Sequence, residues 1–578
     1  MALPTWSTFA NIYVVDFEFS APDGESPRPI CCVARNLRSG ELLRLWEDEL
    51  MPGCPPYRLD SESLFVAYYA SAELGCHLAL DWPMPAWTLD LYIEFKRLVN
   101  GTAPPCGYSL LGAGQYFGLP ILDVDEKQTM RALALRGGPW TSAERVALLD
   151  YCQSDVDALA LLFERMRPAL DLSRALWRGQ YMAACARMER VGIPIDVSIL
   201  DTLRQSWDQL KAALIAKVDV RYQVFEAETF KADRFEQYLA AHGIPWERTD
   251  TGRLKLDDQT FKERSRCFPA LDALRELRVS LAQLRLTDLA VGQDGRNRTL
   301  LSGYRAKTSR NAPSTSKFIF GPSTWLRHLI RPDVGTGLAY IDWSQQEFGI
   351  AAALSGDPRM IDAYESGDPY LAFAKQAGAV PAEATKMSHS TVREQFKSCV
   401  LAVQYGMGSE TFARRIGQTP AHAAQLLELH HRTYPVFWRW IDGVLSYALL
   451  MNRIHSVFGW VLQLDAHLNP RTLQNYPMQT NGAEMLRAAC CRITETGIRV
   501  CAPVHDALLI EAPLEQFDET IVAVQTAMAA ASRLVLGSLT LRSSVTRILP
   551  PSRFTDPRGA EMWRTVLDVL PEPAGVRA

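Results

Sequence analysis

Two aspartates at the ends of strand-like apolar runs constrain this sequence more than any other feature. Asp342 closes the run Gly337-Leu-Ala-Tyr-Ile-Asp342, and Asp506 lies between two apolar runs in Val500-Cys-Ala-Pro-Val-His-Asp506-Ala-Leu-Leu-Ile-Glu511. A strand end and a hairpin tip can bring these carboxylates together although they are far apart in the sequence. Paired carboxylates suit Mg²⁺, which prefers oxygen ligands, and two such ions can promote a phosphoryl transfer. Two unrelated surface aspartates are the alternative, so the surrounding residues decide the interpretation.

The bulk properties indicate a multidomain globular protein. A chain of 578 residues is too long for one hydrophobic core, and 48% hydrophobic with 22% charged residues is an ordinary composition. The twelve cysteines contain no Cys-x-x-Cys, which argues against a zinc site of the usual spacing and favours a reduced, cytoplasmic location. No apolar run reaches the roughly 18 residues of a membrane span, and no signal-peptide pattern is found, so no membrane partner is expected.

The spacing of apolar residues divides the chain into segments of different character. Residues 1–170 alternate strand-like runs, at 12–17 and 64–69, with helical ones such as 142–166, which predicts an α/β domain. The later segments are, in order, helical over 173–290, mixed turns and strands over 300–350, helical over 356–455, and a hairpin over 497–512.

A helical stripe changes along its length from cationic to apolar to aromatic. Four side chains recur at every fourth position: Arg393, Lys397, Leu401 and Tyr405. On an α-helix this spacing places them along one side over about 18 Å. Thr391 with Glu394 predicts a capping box at the start, and Gly406 predicts the end of the helix. Such a stripe suits a ligand with phosphates at one end and a base at the other, whereas a surface cation pair beside core residues is the alternative.

Two further segments point towards nucleic acid. Residues 301–332 carry six basic side chains and no acidic one, a pattern that can follow a phosphate backbone although the net charge of the chain is −4. Arg471, Asn475 and Gln479 are again four apart and could donate hydrogen bonds to bases, sugars or phosphates from one helical face.

Together, in this order, these motifs resemble those of family A DNA polymerases, the group of bacterial DNA polymerase I and its phage relatives. The resemblance covers about 173–550 with polymerase motifs and 1–170 with an exonuclease pattern. It implies an RNase H-like exonuclease domain followed by a right-hand polymerase fold, in α/β and α+β architecture. The implied divisions are 1–172 for the exonuclease-like domain, 173–298 for the start of the palm and the helical thumb, 299–355 for the palm with the first metal motif, 356–440 for the fingers, and 441–578 for the palm with the second metal motif and a C-terminal tail.

The resemblance also implies a reaction and its partners. The 3′-hydroxyl of a primer–template DNA would attack the α-phosphate of an incoming dNTP, with Asp342 and Asp506 binding two Mg²⁺ ions, for which Mn²⁺ could substitute. Lys397 is implied in catalysis as well as in holding the triphosphate. The implied dNTP-binding residues are Arg327, Gln345, Glu347, Arg393, Lys397, Leu401 and Tyr405. The implied DNA-binding residues are Arg310, which ends Thr308-Ser309-Arg310, Arg471, Asn475, Gln479 and His505.

Within this set Glu347 resembles the residue that blocks a ribose 2′-hydroxyl and so favours DNA synthesis. Three positions depart from the family pattern. Leu401 stands where the family usually has Phe or Tyr against the sugar, Gly349 replaces a common arginine, and Ala507 replaces a glutamate that often follows the second aspartate. Asp342 and Asp506 would therefore hold the polymerase metals without a third carboxylate.

The N-terminal segment resembles DEDD-type 3′–5′ exonucleases. Asp16-Phe-Glu18 is similar to the first motif, and Tyr151-Cys-Gln-Ser-Asp155 is similar to the last motif in its tyrosine version. This implies two metal ions held by Asp16, Glu18 and Asp155, with Tyr151 orienting the attacking water.

The middle exonuclease motif is imperfect, with Tyr69 in place of an asparagine and Ala72 in place of an aromatic residue. Glu73 is the predicted fourth metal ligand, and Asp90 is the alternative. A degenerate, structural exonuclease domain is a second possibility. No pattern of a 5′-nuclease precedes this segment, so a proofreading fragment or a phage-type replicase is expected.

Two other functions stay open from sequence. A single-subunit RNA polymerase shares the palm and the Lys397-to-Tyr405 helix, although Glu347 and the exonuclease pattern argue against it. A primer–template binding protein, or a nuclease with an inert C-terminal half, is the other. We expect a monomer in the cytoplasm of a bacterial or phage-infected cell, with no processivity partner indicated.

Overall fold

The computed structural model describes residues 4–102, 104–120, 124–283, 286–321, 323–465, 470–537 and 539–570. Within these ranges the side chains of 124–128, 266–267, 280, 282–283, 287 and 470–472 lie outside the description.

The N-terminal region is built on a mixed sheet with strand order β3-β2-β1-β4-β5. Its strands are β1 (Asn11–Ser20), β2 (Arg28–Asn36), β3 (Leu42–Trp46), β4 (Ser63–Ala67) and β5 (Thr88–Asp90). Its helices are α1 (Ala70–Ala79), α2 (Leu91–Val99), α3 (Leu110–Tyr116), α4 (Val124–Arg136) and α5 (Ser142–Met166). β1 pairs antiparallel with β2 and parallel with β4, so it is a central strand covered on both faces. The two strands and the helix predicted in this region are confirmed.

The middle region is mostly helical. Its elements are α6 (Leu172–Val191), β6 (Ile193–Pro194), α7 (Val197–Gln205), α8 (Trp207–Asp219), β7 (Phe225–Glu226), β8 (Thr229–Phe230), α9 (Ala232–Ala241), α10 (Asp258–Cys267), α11 (Asp272–Gln283) and β9 (Arg296–Asn297). α6 ends at Gly192, whose φ of +63° disfavours other residues. Short 3-10 helices occur here and elsewhere at Trp6–Thr8, Arg167–Ala169, Pro269–Leu271, Leu286–Asp288, Thr324–Leu329 and Leu514–Gln516.

The C-terminal region combines an antiparallel sheet with helices. Its strands are β10 (Thr336–Trp343), β11 (Arg453–His455), β12 (Val461–Gln463), β13 (Arg499–Val504), β14 (Ala507–Pro513) and β15 (Ser543–Ile548). Its helices are α12 (Gln346–Ser355), α13 (Pro358–Glu365), α14 (Pro369–Gln376), α15 (Ser390–Gln404), α16 (Ser409–Ile416), α17 (Pro420–Thr433), α18 (Pro435–Met451), α19 (Pro470–Glu495), α20 (Phe517–Leu536) and α21 (Ala560–Val569). The second sheet has the order β13-β14-β10-β15, and β13 with β14 form the predicted hairpin.

A continuous hydrophobic core joins the N-terminal and C-terminal regions. It includes Phe17 of the first sheet, Tyr181 of α6 and Ile341 of the second sheet, all of them buried. α6 packs against both regions, and its Arg178 forms a buried ion pair with Glu94 of α2, with N–O distances of 2.5 and 2.8 Å. The two sheets therefore share α6 as a common packing element.

One segment of the described chain, Leu514–Leu536, is long and apolar enough to span a membrane by length and mean composition, although charged and polar residues interrupt it. Its buried side chains include Phe517, Ile521 and Val524. These pack towards the second sheet and α19, so core packing accounts for the apolar composition of this helix.

Candidate active sites

The two aspartates meet at the end of the second sheet. Asp342 is the penultimate residue of β10 and pairs in register with Ala507, the residue that follows Asp506. The Trp343 N–H donates to the Asp506 carbonyl at 3.1 Å, and His505 makes the hairpin turn with a φ of +58°. Antiparallel pairing of β10 and β14 thus brings the two carboxylates to the same end of the sheet, as predicted from the sequence.

The electrostatics of this pair favour a cation. Burial, together with the nearby Asp342 carboxylate, raises the pKa of Asp506 to about 6, although the charge of Arg310 opposes this shift. The Ser544 hydroxyl donates to the Asp342 carboxylate from β15. Two carboxylates that disfavour each other's charge, on rigid strands, form an oxygen donor set suited to a divalent metal ion.

A cleft of about 410 Å³ opens beside Asp506. Its wall includes the sequence-predicted residues Arg310, Gln345, Glu347, Leu401, Tyr405 and His505. The side-chain atoms Gln345 Oε1, Gln346 Nε2 and Gln404 Nε2 are buried at this cleft and have no hydrogen-bond partner among the described residues. Buried polar atoms of this kind are costly unless a ligand or water satisfies them, so the cleft is built to receive a polar ligand.

The predicted stripe lies on α15. Arg393 is only 8% exposed and donates to Asp368 and Glu394 at 2.5 Å each, with its guanidinium 5.4 Å from the Tyr370 ring centroid. Lys397 lies 3.6 Å from Glu394 and keeps 42% of its side chain exposed. Arg393 is therefore committed to protein partners in this structure, and Lys397 is the accessible cation of the stripe.

The ends of α15 differ in how well the sequence predicted them. The capping box of Thr391 and Glu394 is wrong, because the N-cap residue is His389 and no side chain caps the helix there. Glu394 forms ion pairs with cations on its own helix instead. The C-terminal end is as predicted, since Gln404 is the last helical residue, Tyr405 is the C-cap, and Gly406 follows with a φ of +59°.

Two arginines predicted near substrate are held by carboxylates. Arg310 donates to Glu347 at 3.2 Å on the cleft wall. Arg327 donates to Asp556 at 2.7 Å, and Arg558 bonds the same carboxylate. Burial lowers the pKa of His505, and the charges of these three arginines lower it further. Arg558 was missed from sequence because its isolated position carries no motif, and Ser544 was missed for the same reason.

The third predicted set lies on α19. Asn475 is buried, and its Oδ1 has no hydrogen-bond partner among the described residues. Gln479 is half-buried one turn further along the helix. Arg471 lies on the first turn of α19, but its side chain is outside the described residues.

A second cluster of carboxylates lies in the N-terminal region. Asp16 and Glu18 project from β1, and Asp155 projects from α5, with carboxylate oxygens all within 4.8 Å of one another. The Cys152 thiol donates to Asp16 from the same helix at 3.3 Å. Three converging carboxylates on a strand and a helix match the oxygen ligands that Mg²⁺ and Mn²⁺ prefer.

Tyr151 lies beside this cluster. Burial raises the pKa of its hydroxyl, and the neighbouring Asp155, Glu18 and Asp16 charges raise it further. The hydroxyl therefore keeps its proton and can donate a hydrogen bond at the cluster.

The two candidates for a fourth ligand differ in their surroundings. Glu73 on α1 is 5% exposed, and burial followed by the charges of Asp16 and Glu18 raises its pKa. Asp90 instead accepts backbone N–H groups of Tyr69, Ala70 and Ile93 at 2.7 to 3.2 Å, which caps α2. Glu73 is thus the carboxylate that faces the cluster, although it is not one of the three that converge within 4.8 Å.

A cavity of about 740 Å³ adjoins the cluster at Glu18 and Tyr151. Its other wall comes from α6 and from residues 290–317, including the cations Arg190, Arg298, Arg305 and Lys317. Glu189 of this wall accepts the Leu301 N–H at 2.7 Å, and burial raises its pKa to about 8. No sequence pattern indicated that residues after 172 would enclose this cavity.

Comparison with known proteins agrees with the ordered motifs. Residues 322–546 match the family described as DNA polymerase family A. The chain is 25% identical over 415 residues to the thermostable DNA polymerase I of Thermus aquaticus, which covers 66% of this chain and 48% of that protein. It is 24% identical over 381 residues to the DNA polymerase of Mycobacterium phage L5, covering 63% of this chain and 61% of that one. The chain thus spans about half the length of the bacterial relatives it matches.

One solved structure covers almost the whole chain. The POL domain of Pol1 from M. smegmatis, in a complex with DNA primer-template and dNTP, aligns with a TM-score of 0.70 over 95% of this chain and 96% of that chain. The sequence identity is 17%, so this likeness shows a shared fold. The fold is thus the mixed α/β arrangement of that protein.

Proposed function

We propose, from the premise that residues 322–546 match DNA polymerase family A, that this chain is a template-directed DNA polymerase that adds dNTPs to a primer 3′ end. One observation carries the proposal. Asp506 lines a cleft whose wall also supplies Glu347, Leu401 and Tyr405, and Asp342 lies beside Asp506 through the pairing of β10 with β14. Within this proposal the second sheet acts as the palm, and α13 to α17 act as the fingers.

The residues of the cleft have separate roles in the proposed reaction. Asp342 and Asp506 would hold the divalent ions. Their carboxylates supply only oxygen ligands, and a bound cation would offset the burial and mutual repulsion that disfavour two negative charges there. Magnesium bound there supplies Lewis-acid stabilisation of the attacking and leaving oxygens.

Residues in the cleft wall and near it would position the nucleotide. Lys397 places an accessible positive charge for the triphosphate. Glu347 occupies the space beside the sugar, and Leu401 with Tyr405 forms the apolar wall for the base. Protein partners hold Arg393 and Arg327 in place, so their contribution is to position the elements that carry the cleft.

The test is primer extension on a defined template. Asp342→Asn and Asp506→Asn each should lower extension by roughly a thousandfold, because several kcal/mol of transition-state stabilisation depend on the metal ligands. Asp442→Asn, at an exposed position on α18, is the matched control and should extend normally. Extension by Asp342→Asn at the wild-type rate, or a preference of the wild-type chain for rNTPs, would refute the proposal.

We further propose a 3′–5′ exonuclease in the N-terminal region. The observation that favours it is the convergence of Asp16, Glu18 and Asp155 next to a cavity large enough for a nucleotide. Tyr151 would orient the attacking water, and Glu73 would complete the acidic set. Asp16→Asn should abolish removal of a mismatched primer end while matched extension continues. Absence of such removal by the wild-type chain would favour a structural domain instead.

A further inference from the structure

A short segment of chain reaches from one proposed site to the other. Ser302 and Arg305 line the cavity beside the N-terminal carboxylates, and Arg310 lines the cleft beside Asp506. The five steps from Arg305 to Arg310 span at most about 18 Å even when fully extended. This segment therefore connects the wall of the cavity with the wall of the cleft.

The backbone of this segment is held in an unusual conformation. Ser302, Tyr304 and Ser309 have φ values of +51°, +58° and +61°, a region that residues other than glycine rarely adopt. Such strain persists only where the surroundings fix it, and it is concentrated at functional sites.

Buried contacts fix the segment in place. The Arg487 guanidinium donates to the Ser309 carbonyl at 2.7 Å and to its hydroxyl at 2.9 Å, and lies 4.2 Å from the Tyr304 ring centroid. The Lys307 carbonyl accepts from Asn100 Nδ2 at 2.8 Å and from Trp460 Nε1 at 3.1 Å. Because Asn100 belongs to the N-terminal region and Trp460 to the C-terminal one, both regions clamp the segment.

Two basic side chains of this segment have no acidic partner among the described residues. Four of the six basic residues in 301–332 form ion pairs: Arg310 with Glu347, Lys317 with Asp23, Arg327 with Asp556, and Arg331 with Asp196. Arg305 and Lys307 are exposed and have no ion-pair partner among the described residues. Their charge is therefore available to a phosphate.

Two partly exposed aromatic rings lie near Arg305. The Tyr69 hydroxyl forms a hydrogen bond with the Ser302 side chain. The half-buried Tyr92 side chain is near enough to Arg305 for the positive charge of Arg305 to lower the pKa of the Tyr92 hydroxyl. The Tyr69 and Tyr92 ring centroids are 5.2 Å apart. A cation beside accessible rings is the arrangement that binds single-stranded nucleic acid, through phosphates and stacked bases.

We propose that Arg305 and Lys307 form a phosphate track that binds the single-stranded primer end during its transfer between the polymerase cleft and the N-terminal carboxylate cluster. The proposal rests on the polymerase and exonuclease activities proposed above. Both residues act as positioning residues, since neither touches the reacting atoms.

The test compares the double variant Arg305→Ala/Lys307→Ala with the wild-type chain on three DNA substrates. Removal of a mismatched end from a duplex primer should fall about tenfold in single-turnover conditions. Matched primer extension and degradation of a free single strand should stay within about twofold. The slope of log binding against log salt for the mismatched primer should decrease by about 1.4, because each single-strand phosphate contact contributes about 0.7. Arg165→Ala/Arg492→Ala, which removes two exposed arginines outside both sites, should match wild type on every substrate.

Each other outcome is decisive. Unchanged mismatch removal would overturn the track. Equal losses in matched extension would show that the two cations bind the duplex held at the polymerase cleft. Equal losses on the free single strand would show that they serve cleavage at the carboxylate cluster itself, and either result contradicts a transfer role. If the wild-type chain degrades neither DNA substrate, the exonuclease proposal fails and the track falls with it. If the wild-type chain degrades both, only the track is under test.

Discussion

The Glu347 carboxylate is fixed on the cleft wall by its 3.2 Å hydrogen bond from Arg310. In the proposed reaction it lies against the sugar of the incoming nucleotide, where a ribose 2′-hydroxyl would meet it. We expect Glu347→Ala to raise the ratio of rNTP to dNTP incorporation by about tenfold, since one lost contact at such a site is worth about 1–3 kcal/mol. Single-nucleotide insertion kinetics measure the ratio. Glu365→Ala, at an exposed glutamate, is the control, and an unchanged ratio in Glu347→Ala would remove Glu347 from sugar selection.

Leu401 gives the cleft a smaller apolar surface than an aromatic ring would. The cleft of about 410 Å³ leaves room for a larger side chain at this position. We expect Leu401→Phe to lower the KM for dNTPs by about threefold to tenfold, because ring stacking contributes about 0.5–1.5 kcal/mol beyond area burial. Steady-state primer extension provides the measurement, and Leu401→Met is the volume-matched control without a ring. A rise in KM for the phenylalanine variant would mean that the ring blocks the sugar.

Among the helices, α15 carries two cations with different roles, Lys397 in binding the nucleotide and Arg393 in stabilising the fold. Lys397→Ala should raise the KM for dNTPs by about tenfold or more with little change in melting temperature, because its charge is accessible. Arg393→Ala should instead destabilise the fold by about 2–4 kcal/mol, because it leaves Asp368 near the helix without its partner. Thermal unfolding and dNTP titration on both variants distinguish these roles. A large KM effect in Arg393→Ala at an unchanged melting temperature would contradict the assignment.

The elements with strong periodic patterns could be predicted from sequence, and so could the adjacency of Asp342 and Asp506. The 12–17 strand and the 142–166 helix depend on local spacing that the sequence displays directly. The partners of Arg393 could not be predicted, since Asp368 belongs to another helix and becomes a neighbour only through packing. Asp90 illustrates the same limit, because a capping aspartate and a metal ligand look alike until the backbone around them is known.

Within the whole molecule, Gly179 controls how closely the first sheet approaches α6. A Cβ atom there would lie 1.9 Å from the Thr88 carbonyl oxygen, whereas one at Gly443 of α18 would meet nothing within 4 Å. We therefore expect Gly179→Ala to lower the melting temperature strongly or to prevent soluble expression, because the overlap forces the backbone apart. Gly443→Ala should stabilise its helix by about 0.5–1 kcal/mol. Calorimetry on both variants measures the contrast, and equal melting temperatures would show that the interface yields easily.

Glu189, in the wall of the cavity beside the N-terminal carboxylates, predicts that the stability of the fold depends on pH. Burial raises the pKa of Glu189 to about 8 in the folded chain from an ordinary value of 4.5. The folded chain therefore holds a proton that the unfolded chain loses, so this residue makes the free energy of unfolding fall as pH rises from about 4.5 to about 8.

Glu189→Gln keeps the hydrogen bond from Leu301 and removes this titration. We expect the variant to exceed wild type in urea midpoint at pH 8 and to lose that advantage at pH 5. The exposed variant Glu365→Gln should show no such difference. A constant offset between Glu189→Gln and wild type at both pH values would show that Glu189 does not titrate in this range.

The hydrophobic core shared by Phe17, Tyr181 and Ile341 also limits how this gene can evolve. A deletion ending near residue 172 would strip the cover from apolar surface on the remaining chain, which favours aggregation. Loss of a carboxylate such as Asp155, which lies outside that core, would leave the packing intact. Substitution of single side chains can therefore remove the proposed N-terminal activity, whereas the N-terminal fold itself has to be kept because the rest of the chain packs against it.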